Sequence, residues 1–248
     1  MAMAKKKPAL IAETNSFCPG CGHGIVVRMI AEVLEEMGLE QNDAICALAV
    51  GCSCLVNNTL KVDRLGCPHG RAAACAAGIK RCRPDKLVFT YQGDGDAMSI
   101  GFSETIYAAQ RNENITAIII NNGVYGMTGG QASPTTLLGQ KTATTVNGRT
   151  VEFNGMPLDI MKQLQQFDSA AYLARGSVHD AKSILKTKQY IRKAFEAQMT
   201  GKGYTCVEIL SPCPTNWHMT PEISMNRIAT EVIAYYPIGE IKAGGETK

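Results

Sequence analysis

Three short stretches carry residue types and spacings that can do chemistry. The first is "SFCPGCGHGI" at 16–25, where Cys18 and Cys21 form a Cys-x-x-Cys knuckle among glycines and a proline. The second is "GDGDAMSIG" at 93–101, which follows the strand-like run "LVFTYQ". In an open parallel sheet, ligands bind at the carboxyl ends of the strands. Gly93 and Gly95 let backbone come close to a diphosphate, and a helix starting there offers its unpaired N–H groups to the oxygens. Asp94, between the two glycines, suits Mg²⁺, which takes oxygen donors and shares them with substrate phosphates. A Gly-Asp-Gly alone also builds ordinary turns. The third stretch, "NNGVYG", changes the balance, because Asn122 lies 28 residues after Asp94, one strand–helix–strand unit on. Adjacent parallel strands place their carboxyl ends side by side. One ion could then be shared by the Asp94 carboxylate, the Asn122 amide oxygen and the Val124 carbonyl.

The chain has ten cysteines, and a reducing compartment makes a disulfide framework a poor account of them. Cys46, Cys75 and Cys206 sit in apolar runs, where cysteine behaves as a small hydrophobe. For Cys18 and Cys21 the choices are zinc, a redox pair or an iron–sulfur cluster. A zinc ribbon wants a second closely spaced pair, but "GCSC" is Cys-x-Cys and Cys67 and Cys75 stand eight apart. Thioredoxin-like chemistry wants a strand before the knuckle, and none is evident.

These residues need a scaffold, and the periodicity supplies one. Ile25, Met29, Val33 and Met37 recur every four positions up to Gly38, which predicts an amphipathic helix. The pattern predicts strands over 44–50, 86–93, 115–122, 170–178 and 204–213, and helices over 70–82, 98–111, 157–168 and 179–200. Alternating strands and helices imply right-handed crossovers in an open, mostly parallel α/β sheet with helices on both faces. Residues 123–156 show no sustained periodicity, and a loop of that length in a compact domain is usually functional. The end, 234–248, reads as a surface tail or a partner contact.

The composition fits one compact domain over 1–248, with 45% hydrophobic and 19% charged residues. A net charge of +3, with "KKK" at 5–7 isolated, gives no basic face for nucleic acid. No apolar run approaches the ~18 residues of a membrane span, and no secretory core follows the N-terminal lysines. The expectation is a soluble cytoplasmic protein.

Taken in order, "CPGCGHG", "GCSC", "HGRA", "GDGDAMSIG", "NNGVYGMTGGQASPTT" and "SPCPT" resemble the β subunit of the 2-oxoacid:ferredoxin oxidoreductases, from about residue 17 to 216. That leaves 217–248 as a C-terminal extension. The resemblance implies a thiamin diphosphate-binding fold with thiamine diphosphate, Mg²⁺ and a [4Fe–4S] cluster. Asp94, Asn122 and the Val124 carbonyl match the magnesium ligands. Gly93, Gly95, Asp96, Gly126 and Met127 match cofactor contacts, as do Val50, Gly51, Cys52 and Ser53 and the run Cys67, Pro68, His69 and Gly70. His69, a residue type more often merely packed, could donate to a phosphate oxygen. Cys18, Cys21, Cys52 and Cys213 match the cluster ligands, with Cys54 the rival to Cys52.

The implied reaction converts a 2-oxoacid, coenzyme A and oxidised ferredoxin to acyl-CoA, CO₂ and reduced ferredoxin. The glutamate that activates the thiazolium comes from a pyrimidine-binding domain for which this chain has no room. An α subunit carrying that domain and a ferredoxin-like subunit are therefore the expected partners, and Glu104 is expected to be structural. Leu55 and Val56 after Cys52 lean slightly toward 3-methyl-2-oxobutanoate over 2-oxoglutarate or pyruvate. A non-redox thiamine diphosphate lyase and a zinc-stapled binding module are the readings from other classes.

Overall fold

The structure is a computed structural model and describes residues 7–243. Lys5 and Lys6 of the N-terminal run, and residues 244–248 of the expected tail, lie outside the described residues.

Among the described residues nine strands form: β1 (Ala44–Leu48), β2 (Asp63–Gly66), β3 (Leu87–Gly93), β4 (Thr116–Asn121), β5 (Val124–Tyr125), β6 (Gln131–Ala132), β7 (Tyr172–Ser177), β8 (Thr205–Leu210) and β9 (Gly239–Ala243). Seven make one sheet in the order β2-β1-β3-β4-β8-β7-β9, and β5 and β6 pair as a small hairpin. All pairings from β2 to β7 are parallel, and β9 closes the β7 edge antiparallel. The helices are α1 (His23–Glu36), α2 (Ala72–Cys82), α3 (Phe102–Gln110), α4 (Val151–Asn154), α5 (Ile160–Leu164), α6 (Ala181–Met199), α7 (Pro214–Trp217), α8 (Pro221–Arg227) and α9 (Ile233–Tyr235).

Alternation along the strands divides the core into two layers. Leu87, Phe89 and Tyr91 face α1 and α6, together with Ile118, Ile120, Val207 and Ile209. Val88, Ala117, Ile119 and Cys206 face the other way, onto Ala72, Ala73 and Ala76 of α2, Ala108 and Ala109 of α3, and Ile160 and Leu164 of α5. Alanine-rich α2 and α3 lie close to the sheet because their facing side chains are small. Each large apolar side chain taken fully out of water here contributes about 1.5–3 kcal/mol.

Four departures from the sequence reading have physical causes. β2, "DRLG", was not anticipated because a four-residue, exposed edge strand shows no alternation. The helix expected over 157–168 is limited to Ile160–Leu164, started by Asp159, whose carboxylate accepts from the Met161 and Lys162 N–H groups. The helix expected from 98 begins as a wide turn over Asp96–Ile100 and becomes regular only at Phe102. At the join, a Cβ on Gly101 would lie 2.3 Å from the Gly70 carbonyl, so two backbones touch there. Finally, the expected surface tail contains β9, and Tyr236 before it is fully buried.

The order of the central strands places the chemistry. β1, β3, β4 and β8 are spatial neighbours, and the segments leaving their carboxyl ends carry Cys52, Asp94, Asn122 and Cys213. A third apolar cluster covers this edge: Trp217 of α7, and Ile228, Val232 and Tyr236 of the segment after α8, pack with Val124 and Cys213.

Candidate functional site

One cleft opens at that edge. Its lining includes Val50, Gly51, Cys52 and Ser53 after β1, Gly93 at the end of β3, and Asp94, Gly95 and Asp96 after it. Asn122, Val124, Gly126 and Met127 come from β4 and the loop after it, and His69 comes from the α2 side. Three expected contacts stand back from the lining. Cys67 is buried in the alanine-rich layer, its thiol donating to the Leu65 carbonyl at 3.4 Å. Burial first, and then Cys75 beside it, push that thiol up to about 12. Gly70 reaches the cleft only through its N–H, which donates to Asp96 Oδ1 at 2.8 Å. Pro68 is not among the lining residues.

Asp94 is 1% exposed. Ser133 Oγ donates to its Oδ2 at 2.5 Å, and Thr135 Oγ1 donates to the same oxygen. Burial pushes its carboxyl up to about 6, and the hydroxyls pull it only part of the way back. Among the described residues no lysine or arginine pairs with it. A buried carboxylate served only by neutral donors fits a cation. Asn122 is also buried, and its Oδ1 accepts from the Val124 N–H at 3.2 Å. Its carbonyl accepts from Trp217 Nε1 at 3.0 Å, which fixes the turn presenting Val124. Asp94 and Asn122 thus line one cleft from two adjacent strands.

Asp96 plays a different part. Its carboxylate accepts from the Gly70 N–H and from Gln92 Nε2 at 2.8 Å, and it also contacts His69 Nδ1. His69 is thus held by Asp96, with its ring at the cleft wall. Gly95 is needed for space, since a Cβ there would enter the Tyr125 ring. Glu104 pairs with Arg71.

All ten cysteines are free thiols. The knuckle packs on the segment that carries Cys213: a Cβ on Gly22 would lie 2.2 Å from Ser211 Oγ, and one on Gly20, at φ +74°, 2.5 Å from Pro221. The Cys21 thiol is pushed up to about 12, by burial first, against a bond from the His23 backbone N–H, and then by Cys213, Cys52 and Cys18. Cys52 is raised to about 11 by burial, then by Cys213 and Cys18. Cys54 is exposed, and a Cβ on Gly126 would meet Cys52 Sγ at 3.2 Å, which favours Cys52 as the inward thiol. Cys46 and Cys206 are core residues, as expected, and Cys75 is partly buried against the same layer. Among the described residues no three or more His, Cys, Asp or Glu side chains are grouped to hold one ion. A cubane, with four irons between its thiolates, asks for a wider ring than one tetrahedral ion does.

Several residues of the site went unassigned in the sequence. His23 lines the cleft, fully buried, with Nδ1 2.9 Å from the Tyr91 hydroxyl and its ring stacked on Phe17. Burial holds it down to about 4, so it is neutral. Its place directly after Cys21-Gly22 was the available signal. Ser133 and Thr135 carried none beyond lying in the long Gly/Thr-rich loop. Glu208, 0% exposed, accepts from Asn121 Nδ2 at 2.7 Å and from Arg175 Nε at 2.6 Å, and Arg175 also pairs with Asp159. This buried network lies under the turn that presents Asn122.

Residues 49–209 match the family described as thiamine pyrophosphate enzyme, C-terminal TPP binding domain. The chain is 40% identical over 234 residues to the ketoisovalerate oxidoreductase subunit VorA of Methanothermobacter marburgensis, covering 94% of this chain and 49% of that protein. It therefore spans about half the length of that relative. It is 41% identical over 200 residues to the 2-oxoglutarate synthase subunit KorB of Methanocaldococcus jannaschii, covering 80% of this chain and 69% of that one. Among solved structures it resembles a 2-oxoglutarate:ferredoxin oxidoreductase from Magnetococcus marinus, determined with 2-oxoglutarate, coenzyme A and succinyl-CoA bound. The TM-score is 0.76 at 30% identity, over 86% of this chain and 70% of that chain. No helix among the described residues is long and apolar enough to cross a membrane. With a thiamine diphosphate-binding domain across most of its length and close relatives of this kind, the chain belongs to the family of 2-oxoacid:ferredoxin oxidoreductase subunits.

Proposed function

We propose that this chain is the thiamine diphosphate-binding subunit of a cytoplasmic 2-oxoacid:ferredoxin oxidoreductase, which oxidatively decarboxylates a 2-oxoacid with coenzyme A. The observation that carries the reading is the single cleft in which Asp94, Asn122 and Val124 stand beside Cys52. Mg²⁺ would be held by Asp94, Asn122 and the Val124 carbonyl, and a [4Fe–4S] cluster by Cys18, Cys21, Cys52 and Cys213. Bound thiamine diphosphate would supply the carbanion chemistry for releasing CO₂, and a cluster held by those cysteines would supply one-electron acceptance.

The chain's own residues set the conditions. Ser133 and Thr135 orient the Asp94 carboxylate, and Asp96 orients His69 at the diphosphate wall. Gly51, Gly93, Gly95 and Gly126 keep side chains out of the cofactor's path, while Val50, Ser53 and Met127 complete the lining. Buried Asp94 and Asn122 work where water is scarce, so their attraction for a cation is stronger than it is in solvent.

The activating glutamate is supplied from outside these 248 residues, by an α subunit with a pyrimidine-binding domain, and a ferredoxin-like subunit carries the electrons onward. Support for a branched substrate comes from the ketoisovalerate relative, whose similarity runs over 94% of the chain, and from Leu55 and Val56 after Cys52. The test has two stages. The chain purified without oxygen should contain iron and sulfide, absorb broadly near ~400 nm, bind Mg²⁺-thiamine diphosphate and turn nothing over. Appreciable decarboxylation by the chain alone would end the split-site reading, and zinc in place of iron would end the redox reading. In the assembled complex, kcat/KM should favour 3-methyl-2-oxobutanoate, and a preference for 2-oxoglutarate or pyruvate would overturn that assignment.

A further inference from the structure

Between the two halves of the site stands a side chain that neither the magnesium set nor the cysteine set uses. Asn216, in the short turn α7, donates from Nδ2 to Cys213 Sγ at 3.4 Å and to the Gly126 carbonyl at 3.1 Å. The two hydrogens of one amide nitrogen are divided between a cysteine of the cluster set and the loop of the cofactor set. The Asn216 backbone N–H also bears on the same sulfur, and both donors work against the burial that raises the Cys213 thiol. Shape holds the side chain as firmly as its bonds do. A Cβ on Gly130 would lie 2.9 Å from Asn216 Oδ1, and a Cβ on Gly126 3.5 Å from its Nδ2. The amide therefore occupies a slot that two glycines leave open.

We propose that Asn216 is a positioning residue that couples the cluster to the cofactor loop, setting the cluster's reduction potential through Cys213 while it anchors Gly126. The proposal rests on the cluster reading given above. One-electron reduction of a [4Fe–4S] centre adds a negative charge that spreads onto its thiolate sulfurs. An N–H aimed at a sulfur stabilises the reduced form more than the oxidised one, and so raises the potential. Because the same nitrogen holds Gly126, a shift of the cofactor loop would move a donor on the cluster as well.

The test uses the full chain isolated without oxygen, with iron and acid-labile sulfide measured and the cluster titrated with dithionite while its reduced signal is followed by electron paramagnetic resonance. A wild-type chain without iron and sulfide would overturn the cluster reading itself, whatever Asn216 does. Asn216→Leu keeps the branched shape and removes the donor, and Asn216→Asp does the same and adds a negative charge. With wild-type cluster content, Asn216→Leu should lower the equilibrium constant for one-electron reduction by roughly tenfold, a fall of ~59 mV, and Asn216→Asp should lower it further. A wild-type potential in either cluster-bearing variant would overturn the proposal. Loss of the cluster from both would assign Asn216 to folding alone and would overturn it too.

Discussion

Ser133 Oγ donates to Asp94 Oδ2 at 2.5 Å, joining the loop after β6 to the carboxyl end of β3. The hydroxyl aims a carboxylate that has no cationic partner among the described residues, so its removal should be felt as lost metal affinity. Asp94→Asn should abolish Mg²⁺-dependent binding of thiamine diphosphate, and Ser133→Ala should weaken it by about 10–100-fold. Trp217, the single tryptophan, donates to the Asn122 carbonyl, so its fluorescence is a direct titration signal. Wild-type affinity in Ser133→Ala would place that hydroxyl outside the metal site.

A second prediction separates the four proposed cluster thiols, of which Cys18 is exposed, from the rest. Serine at Cys18, Cys21, Cys52 or Cys213 should each cut iron content and the absorbance near ~400 nm. Cys54→Ser and Cys82→Ser, both at exposed thiols, should leave both measurements unchanged. Loss of iron from Cys54→Ser with retention in Cys52→Ser would reverse the assignment at that position.

The buried pair of Glu208 and Arg175 makes a stability prediction. Glu208→Ala leaves Arg175, 3% exposed, with only Asp159 as its acidic partner. Breaking a buried pair from one side costs about 3–5 kcal/mol. Urea unfolding should show a loss of that order, and a loss below ~1 kcal/mol, the size of an exposed pair, would mean that Asp159 carries the arginine alone.

Gly70 tests the contact between α2 and the turn after Gly95. Its φ of +79° is costly for other residues, and a Cβ would lie 2.7 Å from both the Ile100 and Gly101 backbones. Gly70→Ala should destabilise the chain by roughly 1–3 kcal/mol in thermal unfolding, with weaker cofactor binding as the Asp96 contact shifts. An unaltered melting temperature would show that the two turns separate freely.

The parts of this molecule that are periodic were legible in its sequence. The central strands run as unbroken apolar stretches because both faces are covered, and Asp94 and Asn122 were readable as a pair because a strand–helix–strand unit has a nearly fixed length. β2 was invisible because an exposed four-residue edge needs no apolar alternation. β9 was missed because "GEIKA" pairs along one edge only, with side chains partly in solvent. Ser133, Thr135 and Asn216 were unreadable for a different reason. Their roles depend on which loop meets which strand end, and a hydroxyl or an amide in a polar loop looks the same whether or not it meets a carboxylate or a thiolate.

Tyr236 donates its hydroxyl to the carbonyls of Thr135 and Leu158, and with Trp217 it packs over Val124 and Cys213. This sets an order of events at the ribosome, where the amino-terminal parts of a chain emerge and fold first. The knuckle and the strands up to β4 can form before residues 214–236 emerge, but the Thr135 loop beside Asp94 is covered only once Tyr236 has been made. Cys18 is made long before Cys213, so the proposed iron centre also waits for the later part of the chain. A chain made only as far as β4 holds the strand end that carries Asp94 and still lacks both that cover and the last of the four proposed thiols.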